Sequence, residues 1–162
     1  MLRAESSSSS PDASSRWSHL VFLSFRTEGT HIDFAHTLCA SLRRKGISTF
    51  RYDKQVEKDM TFLKRVQKAM EESLVAIVLF SENYASSTWC LDELQKILHA
   101  GKPVIPVFYG VLPSDVRYQK NSFAKAFEDH ERRSEEDKLK VPQWKESLKK
   151  VAGFSGCVSQ NR

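Results

Sequence analysis

The stretch that decides the fold is FSENYASSTWCLDEL, residues 80–94. It continues an apolar run at residues 75–79, passes through a turn of small polar residues, and enters a helix that carries Trp89 and Glu93. Open parallel sheets form their ligand crevices where an apolar strand ends in small polar residues and leads into a helix. The stretch therefore predicts a strand, a turn and a helix, with a carboxylate just past the turn.

On both sides of this stretch, short apolar runs alternate with helical patterns. Runs rich in apolar and β-branched residues occupy positions 19–25, 47–52, 75–80 and 104–109, and apolar residues recur at helical spacing between them. This alternation predicts an α/β domain with a flavodoxin-like, doubly wound parallel sheet of about five strands. We expect the strand order 2-1-3-4-5, with helices on both faces.

The second half of the chain gives three further expectations. Pro106 cannot donate a ladder hydrogen bond, so its strand should lie near a sheet edge or pair weakly at that point. Pro142 suits the first turn of a last helix that runs to about residue 153. Residues 139–141 are then the best place for a short fifth strand.

Length and composition describe one ordinary domain. We place a disordered serine-rich segment at residues 1–16, the domain at 17–156 and a tail at 157–162. The net charge of +5 is modest and acidic residues are interspersed, so we expect no nucleic-acid partner. No apolar stretch approaches the roughly 20 residues that span a bilayer, so we expect no membrane partner. The three cysteines lack CxxC spacing, which is typical of reduced thiols in a cytoplasmic or nuclear protein.

Several site classes are excluded by the motifs that follow the strands. The first strand leads into RTEGT, residues 26–30, which matches neither the dinucleotide fingerprint GxGxxG nor the phosphate loop GxxxxGK[ST]. The five histidines show no ligand spacing. We therefore expect no metal and no bound cofactor.

A helical-wheel projection of residues 88–99 places Trp89 and Glu93 together. They are four residues apart and lie off the apolar stripe, which consists of Leu91, Leu94, Ile97 and Leu98. In the expected topology, Arg26 reaches the same crevice from the end of the first strand. Arginine suits phosphate oxygens, tryptophan stacks on a base, and a carboxylate stabilises a cationic sugar. The alternative stays open that Glu93 is a solvated residue and Trp89 packs under a loop.

Four segments resemble one known family, the plant-type Toll/interleukin-1 receptor (TIR) domain. They are LVFLSFR at 20–26, SENYASSTWCLDEL at 81–94, PVFYGVLPSDVR at 106–117 and QWKESLKKVAGFSG at 143–156. The resemblance implies a flavodoxin-like fold and a role in plant innate-immune signalling. Such domains usually form the N-terminus of nucleotide-binding leucine-rich-repeat receptors, so the chain resembles a TIR-only protein or an excised fragment.

The resemblance also implies partners and a reaction. TIR domains of this kind associate with other TIR domains, and many cleave NAD⁺ at the nicotinamide–ribose bond. Glu93 matches the family's catalytic glutamate. The residues that match substrate-binding positions are Arg26, Thr27, Trp89 and Lys58. His36 and Thr37 fall at the place of a Ser-His pair that takes part in self-association.

Departures from the family pattern keep a second function open. The usual FLSFRGED reads FLSFRTEG here, so Thr27 stands in place of a glycine that admits close backbone approach to a ligand. The loop at 56–60, which gates the pocket in the family, has Asp59 and no glycine. The leading hypothesis is an NAD⁺-cleaving signalling domain. The alternative is a catalytically weak adaptor or decoy that binds other TIR domains.

Overall fold

The computed structural model describes residues 19–52 and 60–159. Its centre is a parallel sheet whose five strands lie in the order β2-β1-β3-β4-β5. This is the predicted order 2-1-3-4-5, and the fold prediction is confirmed. The strands are β1 (His19–Ser24), β2 (Thr49–Phe50), β3 (Ser73–Phe80), β4 (Val104–Tyr109) and β5 (Cys157–Ser159).

Six α-helices within the described residues connect or flank these strands. They are α1 (Ile32–Arg44), α2 (Met60–Glu71), α3 (Thr88–His99), α4 (Pro113–Tyr118), α5 (Ser122–Arg133) and α6 (Glu135–Ala152). A short 3₁₀ turn, Tyr84–Ser86, lies between β3 and α3.

The two faces of the sheet carry separate cores, because side chains alternate along a strand. Val21 and Leu23 of β1 pack with residues of α1 on one face. Phe22 belongs to the larger core on the other face, to which α2, α3, α5 and α6 contribute. The first half of α3, which carries Trp89 and Glu93, therefore lies over the face that Phe22 occupies.

The fifth strand and the last helix differ from the sequence prediction. Residues 139–141 are helical, and the fifth strand is Cys157–Ser159, which we had assigned to the tail. Helix α6 begins at Glu135 instead of Pro142, because Ser134 Oγ accepts a hydrogen bond from the Asp137 main-chain N–H at 3.0 Å. A serine N-cap followed by three acidic residues is a strong start signal, and it prevails over the proline.

The environment of Pro106 agrees with the expectation for a proline strand. β4 lies next to the edge strand β5, and pairing with β5 begins at Val107. The chain reaches β5 through Gly156, where an added Cβ would lie 2.1 Å from the Pro106 carbonyl oxygen. A side chain at position 156 therefore does not fit beside β4. The three cysteines are free, with Cys39 and Cys90 buried.

Candidate active site

Glu93 lies on the face of α3 that packs against the rest of the domain. Its side chain is 3% exposed, and it is the only buried Asp or Glu among the described residues. Helix α3 also buries Cys90, Leu91 and Leu94, so its buried face is wider than the apolar stripe. The alternative that Glu93 is a solvated residue is therefore wrong. Helix α3 packs against both α6 and β1, so Glu93 on its β1 side is buried although it lies off the apolar stripe.

Two hydroxyl groups hold the Glu93 carboxylate, one on each oxygen. Ser24 Oγ donates to Oε1 at 2.6 Å, and Tyr52 OH donates to Oε2 at 2.7 Å. The strand register explains this pair: Phe22 in β1 pairs with Phe50 in β2. Residues two positions further on point to the same face, so Ser24 and Tyr52 come out side by side beneath α3.

A second layer of polar groups orients these two hydroxyls. Tyr84 OH lies 3.1 Å from Ser24 Oγ. Trp89 Nε1 donates to Tyr52 OH at 2.5 Å. Tyr84 OH donates to a main-chain carbonyl oxygen of α3 at 3.3 Å. With Glu93 ionised, Ser24 and Tyr52 both donate to the carboxylate, and Tyr52 accepts from Trp89. We call these five residues the Glu93 cluster.

The protonation states of the cluster follow from burial. Desolvation raises the pKa of Glu93 to about 7, although hydrogen bonds from Ser24 and Tyr52 and the charge of Lys96 oppose the rise. Burial also raises the pKa of the Tyr52 and Tyr84 phenols, so both remain protonated donors. Near neutral pH the Glu93 carboxyl is thus divided between its acid and its anion.

Glu93 and Trp89 line a cavity of about 190 Å³ between α2 and α3. The other lining residues are Leu63, Val66, Gln67, Met70, Asp92 and Lys96. A cavity of about 150 Å³ holds one benzene ring. The cavity therefore accommodates a single ring-sized group, with mostly apolar side chains from α2 on one side and mostly charged side chains from α3 on the other.

The loop between β1 and α1 carries the predicted substrate-binding residues Arg26 and Thr27. The Arg26 guanidinium is 25% exposed and pairs with Glu28 at 3.5 Å. His31 Nε2–H donates to the Arg26 carbonyl oxygen at 2.5 Å, and burial lowers the His31 pKa. The structure therefore fixes the backbone of this loop, while neither Arg26 nor Thr27 is among the residues that line the α2–α3 cavity.

Among the other predicted site residues within the described ranges, Trp89 alone lies at the cavity. Lys58 and Asp59 are outside the described residues. His36 and Thr37 are exposed on α1, whose inner side packs on the opposite face of the sheet from Glu93. Trp89 lies where the prediction placed it, next to Glu93, because both contribute to one cavity and both bond to Tyr52.

Sequence reasoning did not select Ser24, Tyr52 and Tyr84 as site residues. One signal was available for Ser24, which is the single polar residue in the strand core VFLSF at 21–25. Tyr52 lies two residues beyond Phe50, which pairs with Phe22 of β1. Its position beside Ser24 can therefore be predicted only once this strand pairing is known. Tyr84 looks like an ordinary core aromatic, since it is fully buried.

Two kinds of feature are absent from the described ranges. Within them, no group of three or more His, Cys, Asp or Glu side chains could hold a metal ion. No helix in the same ranges has the length and apolar character to cross a membrane.

The fold and the site together define a flavodoxin-like α/β domain with a buried carboxyl beneath the helix that follows the third strand. Residues 18–162 match the sequence profile of the TIR domain family. The chain belongs to this family.

Individual relatives support this assignment. The chain is 49% identical over 158 residues to the TMV resistance protein N of Nicotiana glutinosa and 44% identical over 158 residues to the disease resistance protein RPV1 of Vitis rotundifolia. The alignments cover 94% and 95% of this chain but only 14% and 11% of those proteins. The TIR domains of the activated Roq1 resistosome, which directly recognises the pathogen effector XopQ, superpose with a TM-score of 0.77 at 45% identity. That superposition covers 88% of this chain and 89% of the other.

Proposed function

We propose that this chain is a plant immune-signalling TIR domain that cleaves NAD⁺ at the bond between nicotinamide and ribose. The observation that carries the proposal is the buried Glu93 carboxyl, which two hydroxyls hold and which lies beside Trp89 at a cavity of about 190 Å³. A ring the size of nicotinamide fits that volume. The rest of the dinucleotide would lie outside it, toward the loop of Arg26 and Thr27.

The reaction demands little from the protein beyond one anion. The nicotinamide ring of NAD⁺ is a positively charged pyridinium. It departs as a neutral molecule and takes the electron pair of the C1′–N bond, so no general acid is required. The remaining ribose has oxocarbenium character, which a nearby carboxylate stabilises. A water molecule then adds to C1′ and releases a proton. A single carboxyl with a pKa of about 7 can fill this role from neutral pH upward.

The hydrogen bonds in the Glu93 cluster are compatible with substrate contact. An ionised carboxylate offers about four lone-pair sites. Ser24 and Tyr52 occupy one site on each oxygen. The sites that remain can accept hydrogen bonds from the ribose hydroxyls. The Trp89 ring, whose centroid is 5.8 Å from that of the Phe62 ring, supplies an aromatic wall for the departing nicotinamide.

The immune role and the association with other TIR domains rest on the relatives. The TMV resistance protein N and the disease resistance protein RPV1 match most of this chain. The Roq1 TIR domains belong to an activated resistosome. By analogy, we infer that other TIR domains are partners of this chain, with exposed His36 and Thr37 on α1 as candidate contact residues.

A second candidate function has one observation in its favour. Glu93 is 3% exposed, so its carboxyl lies under Tyr52 and Trp89 and not on an open surface. A domain whose carboxyl stays covered would act as a catalytically weak adaptor or decoy through TIR–TIR binding. Thr27, in place of the family's glycine, points the same way.

One experiment separates the two functions. Purified protein at high concentration is incubated with NAD⁺, and nicotinamide release is followed by chromatography. Glu93→Gln keeps the shape of the side chain and removes its charge, so we expect turnover to fall by at least about 100-fold. Glu128→Gln, which changes an exposed carboxyl on α5, is the matched control and should keep wild-type turnover. Equal rates in wild type and Glu93→Gln would overturn the catalytic role, and no release by wild type would favour the adaptor.

A further inference from the structure

Tyr52 connects the two side chains on which the proposed chemistry depends. Its hydroxyl donates to Glu93 Oε2 at 2.7 Å and accepts from Trp89 Nε1 at 2.5 Å. Tyr52 follows β2 in the chain and contacts side chains in the first turns of α3. The reaction described above uses Glu93 and Trp89, and Tyr52 takes no part in its bond changes.

Packing fixes the position of the Tyr52 phenol. The side chain is 5% exposed. Its ring meets Phe50, Phe62 and Trp89 edge-on, at centroid distances of 6.4, 5.6 and 6.1 Å. Edge-to-face contacts of this kind are favourable and directional. The hydroxyl therefore cannot leave the carboxylate unless three ring contacts are disturbed.

We propose that Tyr52 is a positioning residue of the NAD⁺-cleaving site, which holds the Glu93 carboxylate in one orientation and in its anionic form and sets the Trp89 ring against it. This inference rests on the function proposed above. A donor to one carboxylate oxygen favours the anion over the acid, because the acid gains less from the same bond. Tyr52 therefore affects both the position of the Trp89 ring in the cavity wall and the charge of Glu93.

Few of the described side chains affect the charge state of Glu93. Among the described side chains, Glu93 interacts with one cation, Lys96, and with four neutral groups, which are Ser24, Tyr52, Tyr84 and Trp89. Asp92 turns away, since it accepts from Trp144 Nε1 at 3.0 Å and pairs with Lys140 at 3.7 Å. Ser24 and Tyr52 each donate a hydrogen bond to the anion, and a hydrogen bond from Trp89 also favours it.

Tyr52→Phe is the decisive variant because it keeps the ring and removes only the hydroxyl. The anion of Glu93 then loses one of its direct donors. A hydrogen bond to a charged group is strong enough that we expect the Glu93 titration midpoint to rise by about one pH unit or more. Turnover at pH 7 should fall by about fivefold or more, and raising the pH to 9 should restore most of it. A merely structural role would show no such recovery.

The titration is measured directly by ¹³C NMR on protein labelled at the glutamate side-chain carboxyl. The Glu93 signal is assigned by its loss in Glu93→Gln. Tyr109→Phe is the matched control, since Tyr109 packs with the core on the opposite face of the sheet. It should leave the Glu93 midpoint unchanged. Trp89→Phe removes the indole donor behind Tyr52, and it should move the midpoint in the same direction by a smaller amount.

The two measurements keep this inference separate from the proposed function. An upward shift of the midpoint in Tyr52→Phe, together with recovery of turnover at pH 9, is the expected result. An upward shift without turnover in any protein would support the link to Glu93 and defeat the NAD⁺-cleaving function. A midpoint in Tyr52→Phe equal to that of wild type would overturn the inference, whatever the turnover. A thermal melt of each variant checks that the domain is folded at each pH.

Discussion

Replacing Glu93 with glutamine should change how the stability of the domain depends on pH. Burial raises the Glu93 pKa from 4.5 to about 7 in the folded protein, so between these values the folded state keeps a proton that the unfolded chain has lost. Stability falls with pH wherever the folded state binds more protons, so the carboxyl destabilises the wild type progressively from pH 5 to pH 8. With these two pKa values, the linkage relation gives a loss of roughly 2.5 kcal/mol over that interval.

The glutamine side chain does not titrate, so Glu93→Gln lacks this contribution. Urea unfolding of both proteins at pH 5 and pH 8 gives four free energies of unfolding, and the other titrating groups cancel in their double difference. We expect the variant to gain about 2.5 kcal/mol relative to wild type between pH 5 and pH 8. Glu128→Gln should show no such gain, because Glu128 is exposed. A double difference for Glu93→Gln within about 0.5 kcal/mol of zero would refute the buried carboxyl with a raised pKa.

Three further substitutions test other parts of the structure. Lys102→Met should lower the free energy of unfolding by about 1–2 kcal/mol in denaturant titrations, because the Lys102 ammonium donates to two main-chain carbonyls between α2 and β3; an unchanged midpoint would contradict this. Gly156→Ala should lower the free energy of unfolding by about 1–3 kcal/mol, because its Cβ would meet the Pro106 carbonyl oxygen. Gly153→Ala is the control and should be nearly neutral, because the added Cβ meets its nearest atom at 3.5 Å. Equal effects of the two substitutions would be evidence against the close approach of β5. Thr27→Gly should raise kcat/KM for NAD⁺, because a glycine admits closer backbone approach to a ligand; an unchanged or lower value would contradict this interpretation of Thr27.

The parts of the fold that depend on alternating patterns could be predicted from the sequence. The four longer strand patterns and their order follow from apolar runs separated by amphipathic segments. The fifth strand could not be predicted, because its three residues are mostly exposed and carry no apolar pattern. The start of α6 was missed for a different reason: Pro142 is a conspicuous signal, and the serine cap at Ser134 lies inside a charged segment.

The candidate site divides in the same way. Glu93 and Trp89 could be selected because they lie in one short motif at helical spacing. The partners of Glu93 come from β1 and from the residue that follows β2, so Ser24 and Tyr52 become visible only once the register of the sheet is known. The depth of Glu93 depends on what covers α3, which is a tertiary property.

The most direct test of the central claim is the rate of nicotinamide release from NAD⁺ between pH 5 and pH 9, measured for wild type and Glu93→Gln. If the Glu93 anion stabilises the ribose cation, the wild-type rate should rise with pH through a midpoint near 7, and Glu93→Gln should show almost no release at any pH. A wild-type rate that shows no midpoint near 7, or release by Glu93→Gln at the wild-type rate, would contradict the account.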